Sequence, residues 1–136
     1  MTPADERPSL ITGNRQMDEE HALQLQLLRG LQKSLDADET VAAAELLEHL
    51  DQFTNAHFLA EELLMRLHAY PEYEAHVAEH ARFVGDLRNL RAALSGGGTE
   101  ALREEADAFS RRLLAHIATT DHALGAFERS RGTTAA

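Results

Sequence analysis

Two pairs of metal-type donors stand four residues apart in this chain, His57 with Glu61 in HFLAE and His76 with His80 in HVAEH. A helix stacks residues at that spacing on one face, so each pair aims both members in one direction. His21, His116 and Asp121 lie in stretches with the same apolar periodicity. Five imidazoles and two carboxylates make a donor set for two metal ions, and imidazole with carboxylate suits iron among the first-row metals.

Breakers cut the rest of the chain into four helical stretches. Asp18 is expected to cap a first helix carrying Leu23, Leu27, Leu28, Leu31 and Leu35 and stopping near Asp36. Asp38 can cap a second, through Val41, Leu46, Leu47, Leu50, Phe53, Phe58 and Leu64 toward His68. The Tyr70-Pro71 step breaks it, with Pro71 suited to the first turn of a third helix carrying Val77, Phe83, Leu87, Leu90 and Leu94. The SGGG run at 95–98 is a turn, after which Thr99 caps a fourth helix with Leu102, Phe109, Leu113, Leu114, Ile117, Leu124 and Phe127. Residues up to Gly13 form an irregular N-terminal arm, and those after Ser130 are expected to fray. The expected fold is therefore all-α, one domain over 1–136, with an antiparallel up-down-up-down four-helix bundle over about 18–129.

That topology brings the donors to one level. Counted from the linkers near residues 38 and 97 at ~1.5 Å per residue, all seven lie between about 25 and 36 Å along the bundle. Burying two carboxylates and five imidazoles at one level without a cation would be very costly. Two metal ions supply the missing charge. The remaining histidines, His49, His68 and His122, are too distant or misdirected and are expected at the surface or at helix ends. One spacing is irregular, because Asp121 follows His116 by five residues, about 140° round a regular helix. A widened, π-type turn over 118–120 would return both to one side.

Composition narrows the partners. Acidic residues outnumber basic ones by 23 to 13, a formal net charge of −10, which argues against nucleic acid or an anionic membrane surface. The same charge opposes casual self-association and favours a monomer or weak oligomer. There is no cysteine for thiolate sites or disulfides. The opening MTPADERPSL has neither the basic nor the apolar region of a secretory signal, so the expected location is cytoplasmic.

The ordered pattern H…HxxxE…HxxxH…HxxxxD resembles the hemerythrins, particularly the bacterial hemerythrin domains. The resemblance runs through ITGNRQMDEEH, HFLAEELLM, YPEYEAHVAEHARF and LLAHIATTD, nearly the whole domain. It implies that His76, His80 and His116 hold one iron, that His21 and His57 hold the other, and that Glu61 and Asp121 bridge both. The cofactor implied is two iron ions (Fe2+/Fe3+) with an oxo or hydroxo bridge. The iron with two histidines would be five-coordinate and open to dioxygen, which binds reversibly as peroxide and takes a proton from the bridge. The function implied is O2 transport, storage or sensing without catalysis. A di-iron peroxidase, a nitric-oxide-handling enzyme, a sensing module of a signalling protein and a metal store share the same ligands.

Around the open iron the resemblance suggests an O2 pocket walled by Leu25, Leu28, Leu113, Ile117 and Thr119, with Phe58 and Phe83 as core. Phe53 stands where the family often has tyrosine, and Arg112 where its invertebrate members have tryptophan. A more polar or open pocket would speed autoxidation.

Overall fold

A computed structural model describes residues 10–97 and 99–135. The described residues form helices α1 (Arg15–Asp36), α2 (Thr40–Leu67), α3 (Tyr73–Ser95), α4 (Thr99–His116) and α5 (His122–Ala135). A π-helical turn, Ile117–Asp121, joins α4 to α5 into one rod. Contacts run α1–α2, α2–α3, α3–α4 and back from α4 to α1, which closes a four-helix bundle. No helix among the described residues is long and apolar enough to cross a membrane.

The helix ends differ from the sequence expectation in instructive ways. Asn14, not Asp18, caps α1, its side chain accepting a hydrogen bond from the Met17 N–H at 3.0 Å. Asp18 instead accepts from both the N–H and the hydroxyl of Thr12, at 2.8 and 2.7 Å, and so ties the preceding segment to the first turn. Asp38 does not cap α2, whose N-cap is Glu39. It takes the left-handed position (φ 57°) of the reversal that ends α1, where the Glu39 N–H reaches the Ser34 carbonyl at 2.8 Å.

The end of α2 repeats this motif with Ala69 at φ 54° and the Tyr70 N–H on the Met65 carbonyl at 2.9 Å. Tyr70 and Met65 also pack together in one apolar cluster, the hydrophobic contact that accompanies such an ending. Pro71 therefore follows a helix stop and precedes Tyr73, the start of α3, outside that helix's first turn. Helix α5 continues past Ser130 to Ala135. The arm over 1–9 and Gly98 lie outside the described residues, as does the side chain of the expected cap Thr99.

Two apolar clusters fill the bundle. The larger, toward the 37–39 and 96–98 connections, holds Leu28, Leu31, Leu35, Leu47, Leu50, Leu87, Leu90, Leu102, Phe109 and Leu113. The smaller, at the other end, holds Met17, Met65, Tyr70 and Leu124. The seven donors form a polar layer between them. Leu23 and Val41, expected on the core face, are 51 and 75 % exposed. Leu23 precedes the buried Leu28 by five residues, which turns it about 140° away from the core stripe.

Gly125 marks a close approach. A methyl group added there would overlap the carbonyl of Thr12, the group to which Arg129 also donates. Gly125→Ala should therefore cost about 1–3 kcal/mol by forcing the 10–14 segment off α5. Thermal melting would check this, and an unchanged midpoint would mean that the segment shifts freely.

Candidate metal centre

The π turn decides whether the fourth rod can contribute two donors. The sequence expectation of a widened turn over 118–120 corresponds to the observed segment Ile117–Asp121. It brings Asp121 Oδ1 to 3.2 Å from His116 Nε2. A regular helix would have turned the carboxylate toward solvent or a neighbour.

All seven expected donors are at most 3 % exposed and meet in the layer between the apolar clusters. Glu61 divides its oxygens between two sides: Oε2 lies 3.0 Å from His57 Nε2 and 3.6 Å from His21 Nε2, while Oε1 lies 3.2 and 3.1 Å from the Nε2 atoms of His76 and His80. Asp121 does the same, Oδ2 facing His21 at 2.9 Å and Oδ1 facing His76 and His116 at 3.0 and 3.2 Å. Two donor groups result, Glu61, His76, His80, His116 and Asp121 in one, and His21, His57, Glu61 and Asp121 in the other. Both carboxylates belong to both groups.

These contacts are close, yet none of the five Nε2 atoms or four carboxylate oxygens completes a hydrogen bond among the described residues. Buried polar atoms are rarely left so, because an unpaired one costs about 1–3 kcal/mol. Nine together, drawn from acceptor carboxylates and potential acceptor imidazoles, fit a pair of cations as the missing partner.

The outer faces of three imidazoles are held by carboxylates that sequence reasoning missed. His57 Nδ1 lies 2.6 Å from Glu20, His80 Nδ1 2.9 Å from Glu62, and His116 Nδ1 2.6 Å from Glu79. The Thr120 hydroxyl donates to Glu79 in turn, at 2.9 Å. Each glutamate serves the next helix in order: α1 supports α2, α2 supports α3, and α3 supports α4. An Nδ1–H donated outward leaves the Nε2 lone pair free for a metal and raises its basicity. The available signal was adjacency, since Glu20 precedes His21, Glu62 follows Glu61, and Glu79 precedes His80. Which neighbour each would reach was not written in that adjacency.

The protonation balance follows from this crowding. Burial by itself would lower the pKa of His21 and His76, but the adjoining Asp121 and Glu61 carboxylates outweigh it and raise both to about 9. His57 rises against its own burial through Glu61 and Glu20, and His116 through Asp121 and Glu79. Burial opposes ionisation of Glu61, yet His21, His57, His76 and His80 hold it well below the usual carboxylate range. Asp121 is also lowered, His116, His21 and His76 overcoming both burial and the charge of Glu61. Protons can thus substitute for the metal charge.

Aromatic rings brace the layer. Phe58 belongs to the core, as expected, and also stacks on His80 with centroids 3.8 Å apart. Phe53 lies parallel to His57 at 6.3 Å, and Phe83 meets His116 edge-on at 5.2 Å. Of the residues expected to wall a ligand pocket, Leu25, Leu28, Leu113 and Ile117 are buried in the larger cluster. Thr119 is not with them. It is exposed, with its hydroxyl donating to the Ala115 carbonyl at 2.7 Å, because its place in the π turn faces outward. Arg112 is exposed too and pairs with Asp86 at 2.9 Å. His49 and His122 are at the surface, and His68 closes α2 with its Nδ1 on Glu128 at 2.8 Å.

Residues 12–127 match the family described as the Hemerythrin HHE cation binding domain. A myohemerythrin of Sipunculus nudus is 31 % identical over 105 residues, 77 % of each chain. A bacteriohemerythrin of Pseudomonas aeruginosa is 30 % identical over 113 residues, 82 % of this chain and 72 % of that one. A solved structure of a leucine-to-phenylalanine mutant protein superposes with a TM-score of 0.77 at 23 % identity, covering 84 % of this chain and 87 % of the other, a likeness of fold.

Proposed function

The chain belongs to the hemerythrin HHE family, and from that premise we propose that it is a non-heme di-iron protein that binds dioxygen reversibly for transport, storage or sensing. The observation that carries this reading is the pair of unequal donor groups sharing Glu61 and Asp121. His76, His80 and His116 would hold one iron and His21 and His57 the other, with both carboxylates and a solvent-derived oxo or hydroxo group between them. A bound iron pair supplies the two electrons that reversible dioxygen binding requires.

The protein's own residues do the rest. With one histidine fewer, the His21 and His57 side has the smaller donor set and is where an external ligand has room. Glu20, Glu62 and Glu79 fix the imidazoles that they touch in one tautomer. Leu25, Leu28, Leu113 and Ile117 belong to the larger cluster on one side of the layer, apolar bulk that limits water there. A surface groove of about 280 Å³ between α1 and α2 is walled by Met17, Glu20, Leu63 and Leu64 and has Glu61 in its lining.

The test is an anaerobic titration of the reduced, iron-loaded protein with O2, followed optically and reversed by purging. Elemental analysis should give two irons per chain, one for each donor group. Reversible binding at that loading supports the proposal; one metal per chain, or continuous turnover with a reductant in place of reversal, would overturn it. Ile117→Phe should retain both irons while changing O2 affinity or autoxidation severalfold, since it adds bulk to the packed apolar region beside His116 without replacing a donor. Unchanged affinity and autoxidation in that variant would move the pocket elsewhere.

A further inference from the structure

One polar pair in the bundle belongs to no function described so far. Gln24 and Thr54 are both 0 % exposed, and Gln24 Nε2 donates to Thr54 Oγ1 at 3.0 Å. Gln24 lies one turn after His21 on α1, and Thr54 one turn before His57 on α2. The pair therefore forms the layer next to the two-histidine donor group, whose rings stand 4.9 Å apart. The other end of the amide, Gln24 Oε1, is buried with no hydrogen-bond partner among the described residues.

A pair serving only to hold α1 against α2 would gain nothing from an unpaired carbonyl oxygen, which is costly in so apolar a setting. Leucine fits this stripe one turn further on, at Leu28, and would remove that cost. The retained amide suggests that its free end is satisfied by something bound beside it. Building on the di-iron reading above, we propose that Gln24 is the hydrogen-bond acceptor of the ligand pocket at the two-histidine position, anchored by Thr54, and that it favours small protic oxygen ligands such as water and hydroxide over aprotic anions. An acceptor rewards a ligand that brings a proton and penalises one that brings only lone pairs.

The test uses the diferric holoprotein with azide as the aprotic probe, titrated optically in the parent and in Gln24→Leu. With the acceptor removed, azide should bind about tenfold tighter, the worth of one hydrogen bond to the competing water or hydroxide. The pH at which hydroxide displaces half of the azide should correspondingly rise by about one unit. Iron content separates this proposal from the one on which it rests, because a parent chain without two irons fails the di-iron reading, whereas a parent with two irons can fail this one alone. Unchanged or weaker azide binding in Gln24→Leu at full iron content would overturn the acceptor role. The double variant Gln24→Leu/Thr54→Val removes both partners together and should fold, hold iron and bind azide like Gln24→Leu. Loss of iron from both variants would make the pair a structural element and would equally overturn the proposal.

Discussion

Glu61→Ala should empty both metal positions, whereas His116→Ala should first empty only the three-histidine one. Among the described residues, Glu61 is the one side chain with an oxygen close to four of the five imidazoles, His57 and His21 through Oε2 and His76 and His80 through Oε1. Its removal takes a donor from both groups at once and leaves Asp121 as the sole shared carboxylate. Losing even an outer hydrogen-bond partner of a ligand costs roughly 10–100-fold in metal affinity, so losing a donor common to two ions should exceed that upper figure for each. Of the two shared carboxylates, His116 Nε2 lies close to Asp121 alone, at 3.2 Å, and it serves one group. Iron per chain after gel filtration against a mild chelator would separate the two variants. Equal loss from both would argue that the ions are not coupled through Glu61.

Stripping the metal should lower the melting point by at least about 10 °C, with a pH dependence that reverses between the two forms. Binding that holds the ions at 100–1,000 times their dissociation constant stabilises a fold by roughly 3–4 kcal/mol, several degrees for each kcal/mol in a chain of this size. Without metal, His21 and His76 have pKa values near 9 in the folded protein against an ordinary 6.5. Raised values mean that the folded state binds the extra protons, so their contribution is complete below pH 6.5 and is lost as pH rises through 9. The metal-bound form needs neutral imidazoles, so acid weakens it. The gap between holo and apo melting points should therefore widen from pH 6.5 to 9. Coincident melting curves, or a gap that shrinks over that range, would contradict a metal-supported core.

The shared-carboxylate arrangement of the donor layer is partly legible in the spacing of its residues. The i,i+4 pairs and the five-residue step from His116 to Asp121 follow from helical periodicity, and the widened turn follows as the local geometry that reconciles that step with a shared site. Leu23 and Val41 mislead because an apolar residue off the buried stripe looks the same in a sequence as one on it. Asp18 and Asp38 mislead for a related reason. A carboxylate near a helix start can cap it, tie a neighbouring segment or occupy a left-handed reversal, and the choice depends on a chain direction that local propensity does not set.

The sequence by itself determined the helices, their antiparallel order and the single level at which the donors meet, because pitch and short connections are local properties of the chain. Only the tertiary structure decided which oxygen faces which imidazole, which glutamate supports the histidine of the next helix, that Thr119 looks outward, and that Gln24 lies in the core with a side-chain carbonyl that has no partner among the described residues. Those depend on how far each helix is rotated about its own axis when it packs. That rotation is set jointly by all four helices as they exclude water from the two apolar clusters, and no segment of the sequence carries it alone.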